Sequence, residues 1–167
     1  MKTSTAIPII RQDGEGDRLW FAGGGVHTWK VTAEESGGAF LLFEDYLSQG
    51  KATPLHIHPN EDEMLYVLEG EILVHIDGTE YRLGPRGLAM VPRGVPHAFL
   101  VTSETARVLC FETPGSAEAF YRGASEPTTS ESDVSRLPDF AKVGESAKLN
   151  GGIELLGPPP FKPATGS

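Results

Sequence analysis

The chain has 167 residues, of which 39% are hydrophobic and 22% are charged, so it suits one globular domain with its own core. A net charge of −9 without any cluster of lysine and arginine argues against nucleic-acid binding and against binding to an anionic membrane. No apolar run approaches the roughly 20 residues that span a bilayer, and the first residues do not resemble a secretory signal.

We interpret residues 1–17 as an N-terminal arm, residues 18–113 as a β-barrel, and residues 114–167 as a tail that packs on the barrel or on a partner. Glycine and proline punctuate the barrel region, and the short runs between them are rich in β-branched and aromatic residues, which predicts an all-β fold. The predicted strands are 18–21, 26–32, 38–47, 53–58, 63–69, 71–76, 79–83, 88–91, 96–101 and 106–112.

Two local signals refine this pattern. Asp77 and Gly78 separate two strands and predict a tight hairpin, because both turn positions need a positive φ. After Pro114 the composition predicts two short helices, within 114–124 and 137–149, with Ser116 as a candidate N-cap of the first. We expect the apolar start of the remaining chain to pack on the domain and its proline-rich end to be extended.

A candidate metal site stands out in the middle of the chain. His56 and His58 lie one residue apart in a predicted strand, so their side chains point to the same face. A turn follows, and the returning strand starts at Glu63. His97 follows a later proline–glycine turn and is the candidate fourth ligand. Three imidazoles and one carboxylate suit a divalent first-row ion (iron, nickel, manganese, cobalt or zinc) better than calcium or magnesium.

These residues resemble the two motifs of the cupin family. The first motif is a glycine, five residues, His-x-His, three or four residues, a glutamate, six residues and a glycine, and it matches Gly50, His56, His58, Glu63 and Gly70. The second ends in Pro-x-Gly, two residues and a histidine, and it matches Pro92, Gly94 and His97.

The second motif departs from the family pattern at two positions. Arg86 stands where the family has a glycine, and Val101 stands where it often has an asparagine. Neither position is a metal ligand in the family. Over residues 18–112, the resemblance implies a cupin jelly-roll β-barrel with one metal ion held by the two histidines of the first motif, its glutamate and the histidine of the second.

Segments 20–40 and 152–160 look like the flavonol (quercetin) dioxygenase-like branch of single-domain cupins. This resemblance implies an enzyme that uses oxygen on a flavonol-like or other enolic or phenolic aromatic molecule, with Glu63 both as ligand and as proton acceptor. Two alternatives stay open: a zinc-type cyclase or isomerase with a polyketide-like substrate, and a cupin that binds a small molecule without catalysis. The family resemblance also implies a homodimer.

The remaining candidate residues receive plainer interpretations. Glu61 and Asp62 are predicted to be solvated turn residues, His75 an ordinary strand histidine, and His27 an exposed loop histidine. The single cysteine, Cys110, is predicted to be buried packing, and its isolation excludes an internal disulfide and favours a cytoplasmic protein.

Three further side chains are predicted to line a substrate pocket. Phe99 and Val101 follow His97 on the same face of a strand, and Phe43 is the third. Because these neighbours are apolar, we expect a flat or apolar organic substrate.

Overall fold

The computed structural model describes residues 7–162. Two antiparallel sheets enclose a hydrophobic core, which gives the all-β jelly-roll barrel that the sequence predicts. The strands are β1 (Arg18–Phe21), β2 (Val26–Val31), β3 (Leu41–Ser48), β4 (Leu55–Ile57), β5 (Asp62–Glu69), β6 (Ile72–Ile76), β7 (Thr79–Leu83), β8 (Leu88–Val91), β9 (His97–Val101), β10 (Thr105–Thr113), β11 (Ser125–Pro127) and β12 (Glu154–Gly157). The helices are α1 (Glu118–Gly123), a 3₁₀ helix (Glu131–Ser135) and α2 (Phe140–Asn150).

The larger sheet has the order β11-β1-β2-β3-β10-β5-β8, and the smaller has the order β12-β4-β9-β6-β7. The inward positions of β3, β5 and β10 alternate strictly with outward ones, as expected of strands with one buried face. Their registers place Phe43 beside Cys110 and Cys110 beside Leu65 in one inward row. Glu63 and Glu112 form the next row, so the sheet carries two acidic side chains into the interior.

The predicted hairpin at Asp77 and Gly78 is confirmed, because these residues have φ values of 46° and 84° and connect the paired strands β6 and β7. The predicted strand at 53–58 is shorter in the structure, where only Leu55–Ile57 forms β4. Both predicted tail helices are present. Ser116, however, does not cap α1, since Ala117 occupies the cap position without a side-chain hydrogen bond.

The tail contributes more than helices. β11 extends the larger sheet by pairing with β1, and β12 extends the smaller sheet by pairing with β4, which the sequence did not predict. The two α-helices contact each other, and the Ser146 hydroxyl donates a 2.7 Å hydrogen bond to the Phe120 carbonyl. The tail therefore packs on the barrel over residues 114–162, while the end of its proline-rich segment lies outside the described residues.

At the other terminus, the part of the arm within the described range packs through Arg11, whose guanidinium donates to the Glu35 carboxylate at 2.7 Å. Residues 1–6 of the predicted arm lie outside that range. Between residues 7 and 162, none of the helices has the length and apolar character needed to cross a bilayer.

Candidate metal centre

Four buried side chains converge at one end of the barrel interior. His56 comes from β4, His58 follows that strand, Glu63 opens the inward row of β5, and His97 opens β9. His56 and His97 are direct partners across β4 and β9. One possible ligand atom from each of the four residues lies within 4.8 Å of every other. The structure thus brings together all the ligands that the sequence predicts.

A backbone carbonyl orients each imidazole. The Nδ1 atoms of His56, His58 and His97 lie 2.8, 3.0 and 2.9 Å from the carbonyl oxygens of residues 54, 152 and 95. A carbonyl oxygen can only accept, so each Nδ1 carries the hydrogen and each Nε2 faces the cluster. This is the arrangement of metal-ligating histidines, in which the outer nitrogen is fixed by a hydrogen bond.

The Nε2 atoms that face the cluster indicate whether a cation fits the site. His58 Nε2 is buried, lies 3.8 Å from Glu63 Oε2, and has no hydrogen-bond partner among residues 7–162. His97 Nε2 lies 2.8 Å from the same carboxylate oxygen, within hydrogen-bond distance. A buried nitrogen without a partner is costly unless something binds it. Together with the N₃O donor set, this supports a divalent transition-metal ion at the site.

Electrostatics favour the ligand forms of His56, His58 and Glu63. At His97, burial acts to lower the pKa, but the hydrogen bond and the charge of Glu63 outweigh it and raise the pKa. Burial lowers the pKa of His56 to about 3, helped by His97 and His58, and burial also lowers the pKa of His58. Burial acts to raise the pKa of Glu63, but the electrostatic effect of nearby His58 and the hydrogen bond with His97 outweigh it and hold the pKa low. Two neutral imidazoles and a carboxylate are the states that bind metal.

A second buried group lies behind Glu63. Cys110 Sγ is 3.4 Å from Glu63 Oε1, and the Tyr121 hydroxyl donates to the Glu112 carboxyl. Burial, and then the charge of Glu63, raise the pKa of Glu112 well above its usual value, which favours a protonated carboxyl. Burial likewise raises the pKa of the Cys110 thiol, so this residue is buried packing, as predicted, and is not activated as a nucleophile.

The cluster lies in the wall of a mostly apolar cavity of about 60 Å³. His56 and Glu63 line it directly, and its aromatic walls are Phe21, Phe43, Phe99, Phe120 and Tyr121. The tail closes one side through α1, Val143 and Ile153. Phe43 and Phe99 therefore lie where the pocket was predicted. Val101 does not, because it is buried in the hydrophobic core and is absent from the cavity wall.

Two other predictions are wrong. Glu61 is not a solvated turn residue, because it is 1% exposed and accepts a hydrogen bond from Ser116 of the tail. His27 is not an exposed loop residue, because it lies in β2, is 1% exposed and lines the cavity. Asp62 does bond at the surface, to Arg93, and His75 is a strand histidine of β6, outside the cluster.

The protein is thus a β-barrel of two sheets with a candidate metal site at one end of its interior. Three histidines and one glutamate form that site. Residues 42–112 match the family model described as a cupin domain. Over these residues the chain is similar to a cupin domain, in agreement with the resemblance of its two motifs.

Known relatives narrow the comparison. The chain is 29% identical over 122 residues to quercetin 2,3-dioxygenase of Bacillus subtilis, a match that covers 73% of the chain and 36% of that protein. It is 37% identical over 51 residues to the tetracenomycin polyketide synthase protein TcmJ of Streptomyces glaucescens, covering 30% of the chain and 34% of that protein. The matches thus span about a third of the length of these curated relatives.

Among solved structures, an RmlC-like cupin from Shewanella frigidimarina is similar with a TM-score of 0.56 and 17% identity. The match covers 65% of this chain and 92% of the other. At this identity the likeness shows the fold alone.

Proposed function

We propose that this chain is a metal-dependent dioxygenase that acts on an enolic or phenolic aromatic small molecule, of which a flavonol is the first to test. The proposal rests on one observation. Two residues of the candidate metal site, His56 and Glu63, line a cavity whose other walls are largely aromatic. The similarity to a quercetin 2,3-dioxygenase over 73% of the chain supports the same chemistry.

His56, His58, Glu63 and His97 would hold one divalent ion, either iron, nickel, manganese, cobalt or zinc. Such an ion, when bound, would supply Lewis-acid stabilisation to an enolate or phenolate oxygen and would bring oxygen close to it.

Glu63 has the role of proton acceptor. Its carboxylate lies in the cavity wall, where a substrate hydroxyl would reach it, and its pKa is held low by His58 and His97 against the effect of burial. A carboxylate with a low pKa is a weak base, so it takes a proton from an acidic enol or phenol far more easily than from an aliphatic alcohol.

The cavity walls add two further functions. The rings of Phe43 and Phe99 offer apolar surface to a flat substrate, and the closed tail keeps bulk water from the reacting atoms. At about 60 Å³, however, the cavity is smaller than the ~150 Å³ that holds one benzene ring. An aromatic substrate therefore needs the walls to move, and the tail is the segment that covers the barrel at this point.

Oxygen consumption tests the proposal. Protein loaded separately with iron, nickel, cobalt or manganese is mixed with quercetin in an oxygen-electrode cell. We expect equimolar consumption of oxygen and quercetin with at least one metal, and none with the His56→Ala variant treated in the same way. If no metal supports uptake above the variant's background, the oxygenase proposal fails.

A zinc-type cyclase or isomerase is the second candidate, and the observation in its favour is the match to a polyketide synthase protein, TcmJ. The same Glu63 carboxylate would move a proton without oxygen. Turnover of a polyketide-like enol under anaerobic conditions by the zinc-loaded protein would favour this candidate. A cupin that only binds would show unchanged ligand affinity in His56→Ala, with the metal lost and no turnover in either protein.

A further inference from the structure

A second polar group lines the same cavity away from the metal site. We call it the Lys51 cluster, and it consists of His27, Asp45 and Lys51. In the larger sheet, Asp45 lies in the inward row of Val108 and Val67, whereas Glu63 is four residues earlier along β5. Four residues of a strand span about 13 Å, so the two polar groups lie at different ends of the cavity.

Lys51 is buried in a way that calls for an explanation. Its side chain is 9% exposed, and its ammonium lies 5.7 Å from the ring centre of Phe21 and 5.8 Å from that of Phe99. The ammonium has three N–H groups, and the only acceptor it meets within residues 7–162 is the carbonyl oxygen of Gly23. A buried ammonium without a direct carboxylate partner is costly, and at least one N–H remains for a ligand.

Asp45 and His27 are equally unsatisfied. His27 Nε2 lies 3.6 Å from Asp45 Oδ1, which is too long for a hydrogen bond. Asp45 Oδ1 and His27 Nδ1 are buried and have no partner in the described part of the chain. The His27 ring is fixed between Phe21 and Phe43, with ring centres 4.7 and 4.3 Å away. The cluster therefore presents unused donors and acceptors in an otherwise apolar wall.

We propose that the Lys51 cluster binds a phenolic oxygen of the substrate, at the end of the molecule remote from the oxygen that meets the metal. Lys51 Nζ donates to this oxygen, and Asp45 Oδ1 accepts the hydrogen bond from its hydroxyl. The proposal rests on the proposed function and narrows it, because the substrate must then carry hydroxyl groups at both ends of a flat aromatic frame.

The charges of the cluster favour a phenol over a carboxylate. The positive charge of Lys51 and the negative charge of Asp45 lie on the same wall, so a weakly acidic or neutral hydroxyl meets a matching donor and acceptor. A substrate carboxylate would bring a full negative charge close to Asp45, which disfavours it. An unsubstituted ring would leave the remaining N–H groups of Lys51 and the Asp45 Oδ1 atom buried without partners.

The test compares two flavonols on zinc-loaded protein without oxygen. Quercetin carries hydroxyls on both outer rings, whereas 3-hydroxyflavone keeps only the hydroxyl beside the carbonyl. We expect calorimetric titration of the unsubstituted protein to show quercetin binding about 10- to 100-fold more tightly, as expected for hydrogen bonds to charged groups. In Lys51→Met this ratio should fall below about 3-fold. Lys148→Met removes the same charge at an exposed site and should keep the full ratio.

Three results overturn the proposal: an equal ratio in Lys51→Met and in the unsubstituted protein, a ratio near one in the unsubstituted protein, or no binding of either flavonol. Melting curves by circular dichroism confirm that the variant is folded. Should Lys51→Met not fold, Asp45→Asn, which keeps the size of the side chain, must lower the ratio in the same direction.

Oxygen uptake separates this proposal from the proposed function, because 3-hydroxyflavone needs only the metal end of the cavity. If oxygen is consumed with 3-hydroxyflavone and the affinity ratio is the same in Lys51→Met, the Lys51 assignment is wrong and the oxygenase proposal holds. If Lys51→Met lowers the ratio but oxygen is consumed with neither flavonol, the Lys51 assignment holds and the oxygenase proposal is wrong.

Discussion

The two ends of the cavity differ in how their residues are arranged along the chain. The metal end draws His56, His58 and Glu63 from one short stretch and His97 from a second motif, with their ligand atoms within 4.8 Å of one another. The Lys51 cluster takes one residue from β2, one from β3 and one from the loop after it. Residues that bind one ion must bring several atoms to one point, so they are found at fixed spacings in the sequence. Residues that contact one edge of a substrate have no such constraint and show no fixed spacing.

Their electrostatics are also opposite. At the metal end, burial lowers the pKa of His56 to about 3, so the site offers lone pairs to a cation. At the other end, burial lowers the pKa of Lys51 to about 8, which still leaves most of the ammonium charged at neutral pH. The metal end therefore donates electron pairs to a cation, whereas the Lys51 end donates hydrogen bonds. A substrate with one oxygen for the metal ion and another for Lys51 would satisfy both ends.

The largest expected effect is the loss of a ligand at the metal end. His56→Ala should weaken metal affinity by more than about 100-fold, since changes to mere supporting groups around a metal already cost 10- to 100-fold. Competition with a chromophoric chelator measures this. His75→Ala is the matched control, because it removes a histidine of β6 outside the cluster and should leave the affinity unchanged. Equal affinity in both variants would contradict the assignment of ligands.

The next effect concerns the proton acceptor. Glu63→Gln keeps the shape of the side chain but cannot take a proton, so turnover should fall by about 100- to 10,000-fold. Initial rates at saturating metal and substrate measure it, with the metal content of each sample determined in parallel. A variant that keeps its metal and more than half of its turnover would exclude Glu63 as the base.

A smaller effect, of opposite sign, is expected in the Lys51 cluster. The lowering of the Lys51 pKa from 10.5 to about 8 corresponds to a destabilisation of about 3 kcal/mol below pH 8. Loss of the Gly23 hydrogen bond offsets about 1 kcal/mol, so Lys51→Met should raise the free energy of unfolding at pH 7 by about 2 kcal/mol. Urea titrations measure the difference.

The pH dependence of that difference has a definite sign. Between pH 8 and 10.5 the unfolded chain binds more protons at Lys51 than the folded chain does, so the protein with Lys51 gains stability as the pH rises. The advantage of Lys51→Met should therefore shrink from pH 7 to pH 10, while Lys148→Met shows no such trend. A Lys51→Met protein that is less stable at pH 7 would show that the lysine is structural.

The smallest effect is expected at the surface beside the metal end. Asp62 accepts hydrogen bonds from the backbone and side chain of Arg93, at 2.9 and 3.1 Å, in an exposed pair. Solvent screens such exposed pairs, so they add little to stability. Asp62→Asn should therefore leave the urea midpoint and the metal content nearly unchanged, which also makes it the control for Glu63→Gln. Loss of metal in Asp62→Asn would indicate that Asp62, and not Glu63, is the carboxylate ligand.

The sequence predicted the metal end well because its geometry is local. His56 and His58 lie one residue apart at the end of β4, and the turn after them leads into β5 of the other sheet, where Glu63 is the first inward residue. Most strands of the barrel were also predicted, since glycine and proline mark their ends. The edge strands β11 and β12 were not, because such short segments become strands only by pairing with β1 and β4.

The errors at Glu61 and His27 share a physical cause, which is the tail. Glu61 is buried because Ser116 covers it, and His27 is buried partly because Tyr121 packs edge-on against its ring. Neither contact has a local signal, since the partners lie 55 and 94 positions away along the chain. A histidine beside three glycines looks exposed in the sequence, and only the folded tail turns it into part of a cavity wall.

The metal content of the protein tests the central claim most directly. Protein purified without added metal, and a second sample loaded and then desalted, are analysed for all first-row transition elements by plasma mass spectrometry. We predict about one divalent ion per chain after loading, reduced to background in His56→Ala and in His97→Ala, with His75→Ala unchanged. Loaded protein that retains no transition metal, or variants that retain as much as the unsubstituted chain, would contradict the existence of the site.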